Sequence, residues 1–235
     1  MTTVDKVALV SGANKGIGFE IAKGLARAGV RVYVGARDEQ RGRDAERSLR
    51  EDGLDATWIA LDVTDRASIE RARETIERRS ERLDILVNNA GIATRASEDP
   101  ADIYTTNVFG LAEMTRAFAP LLARTRGRVI NLSSSLGSMT RLSDREHPAS
   151  QAAPGFWQYA SSKAAVNALT VLFARMLEPQ GVSVNAVCPG HCATDLNGHT
   201  GPRSAEQGAQ IAVKVALLPD PGTGRNLEDA GVVPW

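Results

Sequence analysis

The feature that most constrains the fold of this chain is the regular alternation of short apolar runs with longer amphipathic segments. Each apolar run is five or six residues long and is rich in the residue types of buried strands. Each amphipathic segment has helical periodicity; in the one that begins at Gly16, the apolar residues Ile17, Ile21 and Leu25 fall on one face. The runs are KVALV (6–10), RVYVGA (31–36), TWIAL (57–61), LDILV (83–87), RVINLS (128–133) and SVNAVC (183–188), and the helical segments are 16–28, 38–50, 65–79, 101–124, 159–177 and 204–217.

This order of strands and helices predicts the fold class and the domain organisation. Continuous apolar runs suit strands that are buried on both faces. Their strict alternation with helices predicts an α/β fold, a single Rossmann-type doubly wound parallel sheet with helices on both faces. We expect one domain over residues 1–235, because the sequence has no repeat, low-complexity tract or linker. The one long irregular stretch, at about 136–158, is interpreted as a surface insertion with Pro and Gly turns.

The balance of charge and the cysteine content narrow the class of protein. Lys and Arg together number 28, and so do Asp and Glu, so no excess charge favours nucleic acid or a membrane surface as a partner. Two cysteines are too few for a disulfide framework, which indicates a reducing compartment. The sequence starts without a signal-peptide core, and its apolar runs fall far short of the ~20 residues that a membrane span needs. We therefore expect a cytoplasmic protein.

In a doubly wound sheet the ligand crevice lies outside the carboxyl ends of the strands, so the residues that follow each strand are informative. The loop SGANKGIG (11–18) follows the first run and brings three glycines to the start of the first helix, where backbone amides bind a dinucleotide pyrophosphate. An ordinary tight turn is the alternative. Two later segments favour the dinucleotide: Asp62 is placed to accept a hydrogen bond from an adenine amino group, and NNAG (88–91) offers small residues beside the cofactor.

The end of the second strand bears on which dinucleotide is bound. GARDEQ (35–40) puts Ala36 where an acidic side chain would read a free 2′-hydroxyl on the adenine ribose. Arg37 follows with a planar guanidinium suited to a 2′-phosphate, and Lys15 extends from the glycine loop. We interpret Asp38 as the N-cap of the next helix. These charges predict a preference for NADPH over NADH, and solvated surface charges are the alternative.

The segment YASSK places Tyr159 and Lys163 four residues apart, hence on one face of a helix. A free tyrosine has a pKa of about 10 and is a poor acid–base catalyst at neutral pH. An ammonium ~4 Å away is worth up to ~4 kcal/mol at an effective dielectric constant of ~20, or about three pKa units. We therefore expect this pair to bring the phenol pKa towards about 7, where the phenol can donate a proton to a nascent alkoxide. A chance Tyr-x-x-x-Lys spacing is the alternative.

Six motifs occur in order from about residue 5 to residue 217: SGANKGIG, NNAG, Asn107, NLSSSLG, YASSK and CPGHCAT. In this combination the chain resembles the short-chain dehydrogenase/reductase family. The segments ANKGIGFEIAKGLARAG and ARDEQRG and the C-terminal tryptophan are similar to the carbonyl-reductase branch. The resemblance implies a dinucleotide-binding and catalytic domain, NADP(H) as the cofactor, and reduction of a ketone, aldehyde or quinone to an alcohol by hydride transfer.

The resemblance also implies roles for individual residues. Tyr159 is the expected proton donor, and Lys163 lowers its pKa and binds the ribose hydroxyls. The family pattern N-x-S-S-x-x-G, laid on residues 131–137, selects Ser134 to bind the substrate carbonyl, and Asn107 matches the asparagine that holds a water in a proton relay. The implied cofactor contacts are Gly12, Asn14, Lys15, Gly16, Ile17, Gly18, Arg37, Asp62, Val63, Asn89, Ala90, Gly91, Tyr159, Lys163, Pro189, Gly190 and Thr194, and the implied substrate-pocket residues are Leu136, Trp157 and His191.

Several alternatives stay open at the level of sequence. Cys188, His191 and Cys192 invite a zinc interpretation, but no fourth ligand is evident apart from His199, and we expect no metal. The reaction could instead be an alcohol dehydrogenation or the reduction of one biosynthetic ketone, and a non-catalytic NADPH sensor is the rival from another class. We expect a small-molecule carbonyl substrate and no nucleic-acid or membrane partner; a monomer and a homo-oligomer are both open. The segment 222–235 lacks a clear final strand, and we assign it no function.

Overall fold

The computed structural model describes residues 6–93 and 99–235, and in these ranges eight strands form one sheet. The strands are β1 (Val7–Ser11), β2 (Arg31–Ala36), β3 (Ala56–Ala60), β4 (Ile85–Asn88), β5 (Arg128–Leu132), β6 (Ser183–Val187), β7 (Asn226–Glu228) and β8 (Gly231–Val232). Their order is β3-β2-β1-β4-β5-β6-β7-β8, and every neighbouring pair is parallel except the antiparallel pair of β7 and β8. The strand order changes direction between β1 and β4, which opens a crevice at the carboxyl ends of these two strands.

Helices cover both faces of this sheet. They are α1 (Gly16–Arg27), α2 (Glu39–Glu51), α3 (Arg66–Ser80), α4 (Pro100–Tyr104), α5 (Leu111–Thr125), α6 (Met139–Ser143), α7 (Pro148–Ala152), α8 (Trp157–Leu177) and α9 (Ala205–Leu217). One buried apolar cluster joins the sheet to α1, α2 and α9, and a second joins its other face to α3, α5 and α8. The predicted fold class, a doubly wound sheet with helices on both faces, is therefore confirmed. The predicted domain range 1–235 includes residues 1–5 and 94–98, which lie outside the described residues.

The helix starts that position the site follow from local sequence. Asp38 caps α2, because its Oδ1 accepts a hydrogen bond from Arg41 N at 2.8 Å, which confirms its interpretation as an N-cap. Asp65 caps α3 in the same way and accepts from Ala67 N at 2.9 Å. Within residues 6–93 and 99–235, no helix has the length and apolar character that crossing a membrane requires.

Two segments between β4 and α8 differ from the sequence expectation. The stretch 136–158 is largely helical rather than irregular, because Ser138 caps α6 and His147 caps α7. The predicted helix 101–124 is divided into α4, a π-helical turn at Thr105–Gly110, and α5. The wider π turn carries Asn107, and nothing in the sequence periodicity signals it.

The structure also corrects the expectation that residues 222–235 lack a clear final strand, since they contain β7 and β8. The strand β7 adds to the sheet beside β6, with Ala186 opposite Asn226 in the register. The chain then turns back, and Val233 N donates to Asn226 O at 2.8 Å. The sequence pattern misses β7 because the strand is only three residues long and begins with Asn226, a buried polar side chain.

Candidate active site

The glycine loop forms a tight turn at the carboxyl end of β1. Gly12 and Gly16 have φ values of +64° and +58°, which favour glycine because a Cβ would be strained there. Gly18 has no room for a side chain, since a Cβ would lie 2.3 Å from Asn89 Nδ2 and 2.5 Å from Gly12 O. The three glycines of the motif therefore allow a close approach of β1, α1 and the loop after β4.

Asn89 holds the glycine loop against β4. Its Nδ2 donates to Ser11 O at 2.9 Å and to Gly12 O at 3.1 Å. The backbone amides of Asn89 and Ala90 both donate to Ser11 Oγ, at 3.0 and 3.1 Å. The predicted cofactor residues Asn89 and Ala90 thus lie directly beside the glycine turn, at the point where the strand order changes direction.

The start of α1 is open to a ligand. Lys15 is the N-cap residue, and its side chain makes no capping hydrogen bond, so amides of the first turn are left for a partner outside the helix. Thr194, from the loop after β6, lies across this helix start, with its Cγ2 3.7 Å from a Cβ built on Gly16. Helix amides and the positive end of the helix dipole suit a pyrophosphate at this point.

Lys15 has a partner that sequence reasoning missed. Its Nζ contacts Asp195 Oδ2 at 2.5 Å, and His199 Nε2 lies 2.8 Å from Asp195 Oδ1. The Lys15 ammonium, and after it His199, hold the pKa of Asp195 below its ordinary value. The ion pair is more than half exposed on both sides, so it is weak and exchangeable. Lys15 therefore joins the glycine loop to the loop after β6.

A groove of about 340 Å³ runs from the glycine loop to α2. Asn14, Lys15 and Arg41 lie along it, and Arg37 is exposed at the end of β2 next to α2. Arg41 was not among the predicted site residues. Its signal was the spacing of four residues from Arg37 in RDEQR, which places a second guanidinium on the first turn of α2.

Asp62 and Val63 follow β3 at the same edge of the sheet. Asp62 Oδ1 already accepts hydrogen bonds from Thr64 N at 2.9 Å and Thr64 Oγ1 at 2.7 Å, so it stabilises its own turn. Val63 packs against the π turn, where a Cβ on Gly110 would lie 2.8 Å from Val63 O. Ile17 is partly buried and packs against the apolar cluster that includes α9.

Lys163 is buried and reaches back to β5. Its side chain is 6% exposed, and its Nζ donates to Leu132 O at 2.7 Å. The same Nζ lies 5.5 Å from the centre of the Tyr159 ring. Gly91 completes this side of the site, because a Cβ built there would lie 3.8 Å from Lys163 Nζ. The structure therefore brings together the tyrosine, the lysine and the loop after β4.

The expectation that the pair brings the pKa of Tyr159 towards about 7 is wrong for this structure. Burial raises the pKa of the Tyr159 phenol, and a hydrogen bond with the Ser134 side chain only partly opposes that rise. Burial also lowers the pKa of Lys163 to about 8. Because the ammonium is directed at Leu132 O and is itself desolvated, it does not offset the burial of the phenol. Tyr159 is therefore protonated at neutral pH.

Hydrogen bonds before and after Ser134 in the chain hold it in place. Ser133 Oγ donates to Asn167 Oδ1 at 2.6 Å, and Asn167 Nδ2 donates to Gly137 O at 2.8 Å, so one side chain of α8 fixes both ends of the serine turn. Gly137 packs tightly, since a Cβ there would lie 2.7 Å from the backbone of Lys163. Ser134 remains partly exposed and accepts a weak hydrogen bond from Leu136 N at 3.2 Å. Its hydroxyl also hydrogen-bonds the Tyr159 phenol, so the serine and the tyrosine are in direct contact.

Asn107 connects the loop after β4 to α8. Its Oδ1 accepts from Ile92 N, and its Nδ2 donates to Ile92 O, both at 2.9 Å. Nδ2 also donates to Ser162 Oγ at 3.0 Å, and Ser162 Oγ donates to Tyr159 O at 2.7 Å. The π turn directs this buried amide at both segments, so Asn107 fixes the position of the helix turn that carries Tyr159. Its expected role in holding a water stays a prediction.

The remaining predicted residues differ in how far they are exposed. Leu136 is half-buried, whereas Trp157 and His191 are exposed. Pro189 is half-buried and Gly190, with φ +78°, is exposed in the turn that follows β6. Cys188 and Cys192 are buried, unpaired thiols. Among the described residues, no group of three or more His, Cys, Asp or Glu side chains is arranged to hold a metal.

Known proteins resemble this chain over nearly its whole length. Residues 6–205 match the short chain dehydrogenase family, so the chain belongs to this family of oxidoreductases. (-)-Isopiperitenone reductase of Mentha piperita is 33% identical over 94% of this chain and 95% of its own length. Carbonyl reductase (NADPH) 1 of Mus musculus is 33% identical over 100% of both chains. The NADPH-bound carbonyl reductase from chicken fatty liver has a TM-score of 0.84 and 28% identity, covering 98% of this chain and 99% of that one. Within the family, these relatives support the carbonyl-reductase-like branch.

Proposed function

We propose that the protein is an NADPH-dependent carbonyl reductase, which reduces a ketone, aldehyde or quinone to an alcohol. The observation that carries this proposal is the convergence of Ser134, Tyr159 and Lys163 beside the glycine turn of a family oxidoreductase. The carbonyl reductases among its relatives, named for NADPH or bound to it, favour the same cofactor here. The unpaired thiols of Cys188 and Cys192 favour a reducing, cytoplasmic location.

The residues around the glycine turn fit a phosphorylated dinucleotide. The glycine turn is closely packed against the loop after β4, and the uncapped start of α1 offers amides to a pyrophosphate. Arg37 and Arg41, together with Lys15, would surround a 2′-phosphate with positive charge. The loop after β4 and Thr194 would bind the nicotinamide half. When bound, the reduced cofactor supplies the hydride.

The chain's own residues then supply the proton. Ser134 Oγ donates a hydrogen bond to the carbonyl oxygen and stabilises the negative charge that develops there. Tyr159 holds its proton on Oη because burial raises the phenol pKa, and it transfers that proton to the far more basic alkoxide oxygen. The O–H bond of the alcohol forms as the O–H bond of Tyr159 breaks. Lys163 carries a charge at neutral pH, since its pKa is about 8, and it stabilises the phenolate that is left.

The protonated state of Tyr159 suits the proton donor that a carbonyl reduction requires. Oxidation of an alcohol needs a phenolate as the base, and burial disfavours that charged form in this structure. A non-catalytic NADPH sensor would not require a serine, a tyrosine and a lysine in contact. Carbonyl reduction is therefore the function we propose over both alternatives.

A cofactor-oxidation screen tests this function. Purified protein is mixed with NADPH and with quinones, aldehydes, aryl ketones and α-keto esters in turn, and the decrease in absorbance at 340 nm is followed. We expect turnover with at least one class, and a higher kcat/KM with NADPH than with NADH at fixed low salt. The same protein with NADP⁺ and the matching alcohols measures the reverse reaction. Binding of NADPH without turnover of any carbonyl would instead support the sensor.

A further inference from the structure

Two adjacent acids lie at the carboxyl edge of the sheet, where the site is: Glu228 is the last residue of β7 and Asp229 follows it. Cys188 N donates to Leu227 O at 2.8 Å, so Glu228 lies beside the residue that follows β6. Asp229 comes next, in the turn before β8. Neither acid belongs to the predicted site, yet each binds an arginine from a different segment beside the site: α6, which follows Ser134, and the loop between β6 and α9, which carries Thr194 and His191. Under the proposed function, these two segments form the walls of the substrate cleft.

Glu228 binds the wall that contains Ser134. Both of its carboxylate oxygens contact Arg141 on α6, with Oε2 at 3.0 Å from Nη1 and Oε1 at 2.6 Å from Nη2. The two side chains are only 24% and 17% exposed, so solvent screens this bidentate pair little. Neighbouring bonds join the same segments, since Ser138 Oγ donates to Pro234 O at 2.6 Å. The chain after β7 thereby fixes α6, which begins five residues after Ser134.

Asp229 binds the opposite wall, the loop between β6 and α9. Its Oδ2 contacts Arg203 Nη2 at 2.5 Å. Arg203 in turn holds the loop by its backbone, because Ala193 N donates to Arg203 O at 2.8 Å and Arg203 N donates to His191 O at 3.3 Å. The side chain of Arg203 also lies against the turn after β6, 2.8 Å from a Cβ built on Gly190. This wall carries Thr194 and the exposed ring of His191.

We infer that Glu228 and Asp229 are positioning residues that set the spacing between the two walls of the substrate cleft. We refer to the two residues as the acid clamp. The two acids are consecutive residues, so the wall with Ser134 and the wall with His191 are both attached to the same point at the edge of the sheet. This inference rests on the proposed function, because it assigns the clamp to the selection of carbonyl substrates by size.

The thiol of Cys188 links the clamp to the reacting groups. Glu228 and Arg141 both act on its pKa, which burial raises overall. The same thiol acts on the pKa values of Tyr159 and Lys163. Glu228 and the catalytic pair are therefore all within electrostatic range of Cys188.

The first test measures the walls themselves and does not depend on turnover. Glu228→Gln and Asp229→Asn keep side-chain size and remove one charge each, and Asp52→Asn is the matched control, since it breaks the 2.7 Å pair with Lys23 between α1 and the end of α2. Amide hydrogen exchange is followed by mass spectrometry. We expect Glu228→Gln to raise exchange several-fold in α6, Asp229→Asn to raise it in residues 190–203, and Asp52→Asn to change neither. Unchanged exchange at both walls would overturn the inference.

The second test measures selectivity. For a bulky bicyclic ketone and a small aliphatic aldehyde, kcat/KM is determined for the wild type, Glu228→Gln, Arg141→Met and their double variant, together with the Kd of NADPH. We expect the ratio of the two kcat/KM values to change about fivefold or more. The change should be the same in all three variants, because each of them breaks the same ion pair between Arg141 and Glu228. NADPH affinity should stay within about twofold. An equal loss for both substrates overturns the inference, whereas a wild type without carbonyl turnover overturns the proposed function.

Discussion

Replacing Lys163 by methionine should change how the stability of the protein depends on pH. The ordinary pKa of lysine is 10.5, and burial lowers that of Lys163 to about 8. The unfolded chain therefore binds this proton more tightly than the folded protein does. At pH values well below 8 the buried charge costs ~3 kcal/mol of folding free energy, from 2.5 pKa units at 1.36 kcal/mol each.

The sign follows from proton counting. Between pH 8 and pH 10.5 the unfolded state holds a proton that the folded state has lost, so the free energy of unfolding rises with pH across this window. For the two pKa values, the rise from pH 7 to pH 9.5 amounts to ~2 kcal/mol. Lys163→Met removes this proton, so the variant lacks the rise. It also leaves Leu132 O without its donor, a loss that does not depend on pH.

Urea unfolding of the cofactor-free protein, followed by tryptophan fluorescence, measures this effect. The quantity to compare is the difference in the free energy of unfolding between wild type and Lys163→Met, at pH 7 and at pH 9.5. Titrating groups that do not interact with Lys163 cancel in this difference. We expect the wild type to gain ~2 kcal/mol relative to the variant over the interval. A difference that is the same at both pH values would refute the claim that Lys163 is held in a site that disfavours its charge.

Three further predictions concern the rest of the site. Gly18→Ala should cost about 1–3 kcal/mol of stability and weaken NADPH binding, because its Cβ would lie 2.5 Å from Gly12 O. The control Gly155→Ala should change neither property, because a Cβ there has nothing within 4 Å. Thermal unfolding measures the stability, and cofactor fluorescence measures the binding. Ser134→Ala should lower kcat about 10²-fold or more and Ser135→Ala far less, since the Ser134 side chain hydrogen-bonds the Tyr159 phenol. Loss of turnover in Ser135→Ala instead would assign the oxyanion donor to the next residue. Arg37→Ala combined with Arg41→Ala should lower kcat/KM for NADPH at least tenfold and leave that for NADH nearly unchanged; equal losses would remove these cations from the phosphate site.

Local sequence was sufficient for most of the sheet and for the glycine turn. The run KVALV followed by glycines, and the spacing of Tyr159 and Lys163, are patterns over a few residues whose geometry is fixed by the backbone alone. The same holds for Asp38, where an acid before a helical segment predicted the cap that the structure contains. Such features need no knowledge of what packs against them.

Features that depend on distant partners were not predicted. Lys15 is joined to Asp195 across 180 residues, and the pKa of Tyr159 depends on how deeply the fold buries its phenol. The strand β7 was not predicted because Asn226 interrupts its apolar pattern. The ion pair between Arg141 and Glu228 was not predicted because 87 positions separate the two residues. These contacts join residues that are far apart in the sequence, and only the folded sheet brings them together. Patterns over a few residues therefore do not predict them.

The proton-donor role of Tyr159 is the central claim, and Tyr159→Phe tests it most directly. The variant lacks only the phenolic oxygen, so the ring still packs beside Lys163, and the Kd of NADPH, measured by fluorescence, should stay within about threefold of the wild type. With the best carbonyl substrate from the screen, kcat at pH 7 should fall by at least about 10³-fold, because the alkoxide loses its positioned acid. Full turnover in Tyr159→Phe, with NADPH bound as tightly as before, would contradict the mechanism.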